Sequence, residues 1–143
     1  MTAKRGSVRH AVRLACPPDA VWALVGAPER VAEWFPGIAS CTVDGDQRVV
    51  MTGSGLPMPE RLLTVDPTLR RFQYRITAPM FVEHLSTIDV HDLGDGTCLA
   101  VYSVDVDPAP LALVIGGAAR AGLEGLAGLL GLETAPVATA TPR

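Results

Sequence analysis

Aromatic side chains are scarce in this chain, with two Trp, two Tyr and three Phe among 143 residues. Two of them sit side by side at a chain reversal, in the run "AEWFPGIAS" at 32–40. Charge is modest as well: 19% of residues are Asp, Glu, Lys or Arg, and the formal net charge is −3. The cations are scattered apart from Lys4-Arg5 and Arg70-Arg71. There is no basic stripe, which argues against a nucleic-acid partner. Three widely spaced cysteines, Cys16, Cys41 and Cys98, form no CxxC or Cys/His spacing, so no zinc or other metal site is expected. Their odd count, with no signal peptide at the start, fits a reducing cytoplasm, and buried small hydrophobe is the expected role for all three.

Other motifs are missing too. "GSG" at 53–55 and "GG" at 116–117 lack the Lys-Ser/Thr pattern of a phosphate loop. No serine sits in a GxSxG elbow. "DGD" at 44–46 lacks the remaining ligand positions of a calcium loop and reads as a turn. No cofactor is implied. The segment 109–132 is apolar but carries Arg120 and Glu124 near its middle. Such charges are costly in lipid, so a buried helix is expected there and no membrane span.

What is present is a chain 48% hydrophobic, suited to one globular domain over 1–133 with a low-complexity tail at 134–143 expected to be disordered. A chain of this length buries roughly 68–70% of its unfolded surface, enough for one sizeable core. After a loose polar leader at 1–6, "SVRHAVRLA" (7–15) alternates apolar and polar residues as a half-buried strand does. "CPPDAVWALV" then opens a helix at its prolines and Asp19, and "PERVAEWF" gives a second short helix closed by Pro36 and Gly37. From Ile38 onward three hairpins follow, turning at Asp44-Gly45-Asp46, at Asp66-Pro67-Thr68 and at Gly94-Asp95-Gly96. The last element, 109–132, has helical periodicity and no internal proline after its first residues. This is an α+β chain: about seven antiparallel strands, two short helices after the first strand and one long C-terminal helix. A single sheet needs a cover, and the last helix alone is long enough to supply it.

In "CPPDAVWALVGAPERVAEWFPGI", "ERLLTVDPTLRRFQYRIT", "EHLSTIDVHDLGDGTCLAVYSVDVDP" and the Leu-rich closing helix, the sequence resembles the START-like helix-grip superfamily. It is most similar there to the bacterial polyketide cyclase/dehydrase and lipid-transport (SRPBCC) group. The resemblance spans roughly residues 7–132 and implies a curved sheet gripping the C-terminal helix, with a cavity between them for a hydrophobic small molecule. It implies no fixed catalytic triad. Trp34 and Phe35 then line the cavity entrance, or else fill the core beneath the second short helix.

Strand alternation selects the residues that face that cavity. Val82, His84, Ser86, Ile88 and Val90 form the more apolar parity of one strand, and Ala100, Tyr102, Val104 and Val106 that of the next. Phe72, Tyr74, Ile76 and Ala78 oppose Gln73, Arg75 and Thr77. In 58–65, Met58, Glu60, Leu62 and Thr64 share one face while Arg61, Leu63 and Val65 share the other, and each face carries one charge. Glu60 turned inward needs a partner, for which His84 is the candidate; turned outward it pairs with Arg61 or Arg75. The candidate ligand-binding residues are Trp34, Phe35, Phe72, Tyr74, His84, Ser86, Tyr102 and Val104, and the acid/base candidates are Glu60 and His84. His10 reads as packing and His91 as solvated.

Three functional readings follow. The first is a binding protein for a lipid, polyketide or aromatic metabolite. The second is a cyclase or dehydratase in which Glu60 and His84 move protons and Tyr74 or Tyr102 orients a carbonyl. The third is a protein-interaction module, including a homodimer, acting through the apolar runs at 56–60 or Met80-Phe81. Six glycines in 116–131 disfavour helix by about 1 kcal/mol each relative to Ala. They either leave cavity volume or permit close packing on the sheet or a second chain.

Overall fold

The computed structural model describes residues 5–132, so the tail at 134–143 lies outside the described residues. Strand β1 (Gly6–Leu14) starts one residue earlier than the alternation indicates. Helix α1 (Pro18–Val25) starts at a proline, whose fixed φ suits the first turn, with Asp19 on the positive end of the helix dipole. The second short helix of the sequence reading is split: a 3₁₀ turn (Pro28–Arg30) runs into the single-turn α2 (Val31–Trp34). Pro36 and Gly37, the latter at φ 83°, then redirect the chain.

Six strands follow: β2 (Ile38–Asp44), β3 (Gln47–Thr52), β4 (Pro57–Asp66), β5 (Arg71–Ile76), β6 (Glu83–Asp92) and β7 (Cys98–Asp107). The turn between β2 and β3 has Gly45 at φ 61° in its first central position, as a type II′ hairpin requires. The β4–β5 turn is closed by the Asp66 carboxylate, which accepts from the amides of Thr68 and Leu69 at 2.9 and 3.0 Å. All seven strands make one antiparallel sheet in the order β1-β7-β6-β5-β4-β3-β2. The expected helix-grip fold is the fold observed.

Two bulges bend this sheet, one between Ile38 and Ser40 and one between Leu62 and Thr64. The second corrects the sequence reading. Leu62 pairs with Tyr74 but Thr64 pairs with Gln73, so the extra residue moves Thr64 off Glu60's face. On the convex side Thr64 donates to Gln73 at 2.8 Å and Gln73 donates to Thr87 at 3.0 Å. Val82 also departs from expectation: it precedes β6, beyond the packed part of the sheet, and is 80% exposed. The other inward assignments on β5, β6 and β7 hold, from Phe72 to Val106, with Ile88, Ala100, Val104 and Val106 fully buried.

Helix α3 (Leu111–Leu130) rests on β1 and β7 and touches α1 and α2. By length and composition it could cross a membrane; in the fold it is the core helix, burying Ala119, Leu123 and Leu126, with Arg120 and Glu124 paired on its outer face at 3.3 Å. Its glycines decide how closely it sits. A Cβ on Gly125 would stand 1.9 Å from the Trp34 carbonyl oxygen, and one on Gly116 would stand 2.7 Å from Val8. One on Gly122 would stand 3.2 and 3.0 Å from the Trp34 and Phe35 rings. Close packing is therefore the use of these three within the fold. Gly117 and Gly128 face open space.

These two kinds of glycine should respond oppositely to substitution. Gly125→Ala drives a methyl into fixed backbone and should lower the melting temperature markedly, whereas Gly128→Ala should raise stability by about 0.5–1 kcal/mol through helix propensity alone. Thermal denaturation of the two variants beside the parent checks the contrast; equal effects would mean that α3 is not seated on Trp34.

Candidate functional site

Because α3 covers β1 and β7, the concave surface of β3, β4 and β5 is left without a helix over it. A cavity of about 260 Å³ occupies that space. Its sheet wall is Arg48, Val50 and Thr52 of β3, Met58 and Glu60 of β4, and Phe72, Tyr74 and Ile76 of β5, with Ile88 and Tyr102 at the back. The helical side supplies Ile115, Ala118 and Ala119, and the segment from Val31 through Trp34-Phe35 to Ile38 closes the end. Both aromatics of the opening run border the cavity. Trp34 is 5% exposed and seats α3, while Phe35 packs on Trp34 at 5.4 Å and edge-on to Tyr102 at 6.5 Å, ring centre to ring centre.

One ion pair sits in this apolar wall. Arg48 and Glu60 face each other across the β3–β4 ladder, 3% and 7% exposed. Arg48 Nε donates to Glu60 Oε1 at 2.8 Å, its Nη2 lies 2.6 Å from the same oxygen, and its Nη1 donates to the Pro28 carbonyl at 3.0 Å. The guanidinium also lies 5.2 Å from the ring centres of Phe72 and of Tyr74, a cation–π arrangement on both. Burial raises the Glu60 pKa, and the neighbouring Arg48 charge and hydrogen bond only partly offset it.

Behind the wall lies a second polar chain. The Tyr74 and Tyr102 hydroxyls hydrogen-bond each other. Burial, and then the Glu60 charge, push the Tyr74 phenol up to about 12, and burial and its tyrosine neighbour hold Tyr102 well above the ordinary value. His84 accepts the Ile76 amide hydrogen on Nδ1 at 2.9 Å and bonds Ser86 Oγ through Nε2 at 3.0 Å. Burial lowers its pKa from 6.5 to about 4, so the ring is neutral at physiological pH.

The structure thus brings Trp34, Phe35, Phe72, Tyr74, Tyr102 and Glu60 to the cavity and leaves His84, Ser86 and Val104 buried off its surface. The direct Glu60–His84 pair is not formed, and neither Arg61 nor Arg75 takes its place. Arg61 pairs with Asp46 at 3.2 Å, and Arg48 is the residue the sequence reading missed. A signal for it existed: the Asp44-Gly45 turn fixes the β2–β3 hairpin, and Arg48 shares its parity with Val50 on an otherwise apolar face. Of the apolar runs proposed as contact surfaces, Leu56 and Met80 are exposed, while Met58 turns into the cavity and Phe81 packs on His84 at 5.3 Å. His91 is exposed and His10 half-buried. Cys98 is buried and the other two cysteines half-buried. Among the described residues no three His, Cys, Asp or Glu side chains cluster as a metal site would need.

A family model described as "Polyketide cyclase / dehydrase and lipid transport" matches residues 5–133. Among solved structures, XoxI from Bacillus cereus is 24% identical with a TM-score of 0.82, covering 87% of this chain and 95% of its own. A Thermobifida fusca protein solved by NMR is 29% identical with a TM-score of 0.73, over 85% of this chain and 90% of its own. Norcoclaurine synthase from Thalictrum flavum, in complex with dopamine and hydroxybenzaldehyde, is 15% identical with a TM-score of 0.69, over 97% and 90%. No curated protein matches the sequence.

Breaking the buried pair on one side should be severe. Arg48→Met strands the Glu60 carboxylate and should cost about 3–5 kcal/mol, while Arg48→Met combined with Glu60→Leu should recover most of that loss. Urea denaturation of the single and double variants measures the coupling. A separate pH effect follows from His84. Its folded pKa of about 4 lies below the unfolded 6.5, so the unfolded chain binds the extra proton and stability falls as pH drops from 6.5 toward 4. Glu60, shifted upward, contributes a slope of the opposite sign. His84→Gln keeps an acceptor and a donor in place, so its stability difference from the parent should change by on the order of 2 kcal/mol over that window. A constant difference from pH 7 to 4 would place a charged imidazole in the fold.

Proposed function

The chain belongs to the polyketide cyclase/dehydrase and lipid-transport family, and from that premise we propose that it binds a hydrophobic small molecule in the cavity between α3 and the uncovered half of the sheet. The observation that carries this reading is the cavity itself: about 260 Å³ with a largely aromatic and aliphatic lining. An apolar cavity of about 150 Å³ accepts a single benzene ring, so this one suits a ligand of about two fused rings or an equivalent length of acyl chain. A lipid, a polyketide fragment or an aromatic metabolite fits that description. The fold-mate norcoclaurine synthase, which holds dopamine and hydroxybenzaldehyde, supports the aromatic member of that set. Three free cysteines support a reducing, cytoplasmic setting. Proton transfer through a Glu60–His84 couple receives no support, because His84 is committed to Ile76 and Ser86 and lies off the cavity surface.

Native mass spectrometry of the protein purified from its own host should reveal a small hydrophobic adduct. Ala118 stands on the cavity wall, so Ala118→Phe should fill the space. It should weaken binding of the recovered molecule, or of naphthalene as a stand-in, at least ten-fold while leaving the melting temperature within a few degrees. Unchanged affinity in a folded Ala118→Phe protein would sink the cavity as the binding site.

A further inference from the structure

The hydrogen bonds behind the cavity wall have a direction, and it can be followed from the backbone inward. The Ile76 amide is a donor only, and it occupies His84 Nδ1. A neutral imidazole that accepts on Nδ1 carries its proton on Nε2, so Nε2 donates to Ser86 Oγ. Ser86 is the cross-strand partner of Tyr74, and its hydroxyl, accepting from His84, keeps its own proton to donate. Tyr74 and Tyr102 then share one hydrogen bond. Two phenols bring two protons and their mutual bond uses one. The pair makes no other side-chain hydrogen bond among the described residues, so one phenolic proton is left without an acceptor, and both tyrosines line the cavity.

The remaining side chains of the wall deepen the imbalance. The Trp34 indole N–H is buried and unpaired among the described residues. Of the side-chain acceptors, Glu60 Oε1 takes two nitrogens of Arg48 and the Thr52 hydroxyl is engaged by Ser54 and Leu56, which leaves Glu60 Oε2, beside the Arg48 charge, as the open acceptor of the wall. A ligand ammonium entering here would bury its charge beside the Arg48 guanidinium, at a desolvation cost. A carbonyl oxygen brings lone pairs and no proton.

Resting on the cavity-binding reading, we infer that the tyrosine pair is poled as a donor: the cavity takes an apolar ligand anchored through one carbonyl oxygen on the Tyr74–Tyr102 pair, and His84 and Ser86 are positioning residues that set this polarity from behind the wall. Cooperative alignment along such a chain strengthens its terminal donor.

The test compares three probes of like shape: 2-acetylnaphthalene, 2-isopropenylnaphthalene, which lacks the acceptor, and 2-(aminomethyl)naphthalene. The parent protein should bind the ketone about five- to ten-fold more tightly than the alkene. The carbonyl stretch of the carbon-13-labelled ketone should shift to lower frequency on binding. In Tyr74→Phe/Tyr102→Phe both the preference and the frequency shift should vanish while the alkene still binds. Ser86→Ala should reduce the frequency shift at unchanged alkene affinity, and His84→Gln, which preserves the acceptor-then-donor order, should keep it. Equal affinity for ketone and alkene, or an unshifted carbonyl, overturns the polarity and leaves the cavity-binding reading standing. Tighter binding of the amine moves the anchor to Glu60 and also overturns it. A full carbonyl shift in Ser86→Ala removes the positioning role. Failure of all three probes to bind defeats the cavity reading and this inference with it.

Discussion

The contact between Gly125 of α3 and the Trp34 carbonyl sets the geometry that everything else depends on. A side chain at that position would hold the helix away from the short-helix segment. Without one, α3 settles on β1 and β7 and meets the chain reversal at 34–36. Helix and sheet are then in contact over one half of the concave face and separated over the other. The cavity is the volume that this off-centre seat leaves open, and a sheet bent by two bulges curves around it.

Within that volume the polar groups are arranged economically. A buried ion pair is tolerated when both partners find further contacts. Arg48 has them: the Pro28 carbonyl beyond Glu60, and two aromatic faces beneath its guanidinium. The same arginine ties the β3–β4 ladder to the 3₁₀ turn, so one side chain links the sheet wall to the segment that closes the cavity's end. The tyrosine pair and the histidine behind it form a separate network, joined to the ion pair through Tyr74, on whose ring Arg48 rests.

Much of this was legible in the sequence. Turn residues located the three hairpins, periodicity separated α3 from the strands, and two-residue alternation placed Phe72, Tyr74, His84, Ser86 and Tyr102 inside. The misses have physical causes. Alternation assumes an unbroken ladder, and the bulge at Leu62/Thr64 breaks it, so Thr64 was assigned to the wrong face. The partner of Glu60 was sought among histidines and neighbouring arginines because alternation says which way a residue points but not what stands beside it. Arg48 becomes its partner only through the β3–β4 register. His84 points inward as read, yet the cavity stops short of it, and its position under Phe81 depends on tertiary packing that no local pattern encodes.

The off-centre seat of α3 also separates two demands that usually compete. Residues that hold the helix, on β1 and β7, are largely different from residues that shape the cavity, on β3, β4 and β5. Val50, Met58 or Ile76 can change in size, and with them the shape of the cavity, without disturbing the seat of the helix. The sheet thus has an anchoring edge and a separable interior, so a change of volume in one need not propagate to the other.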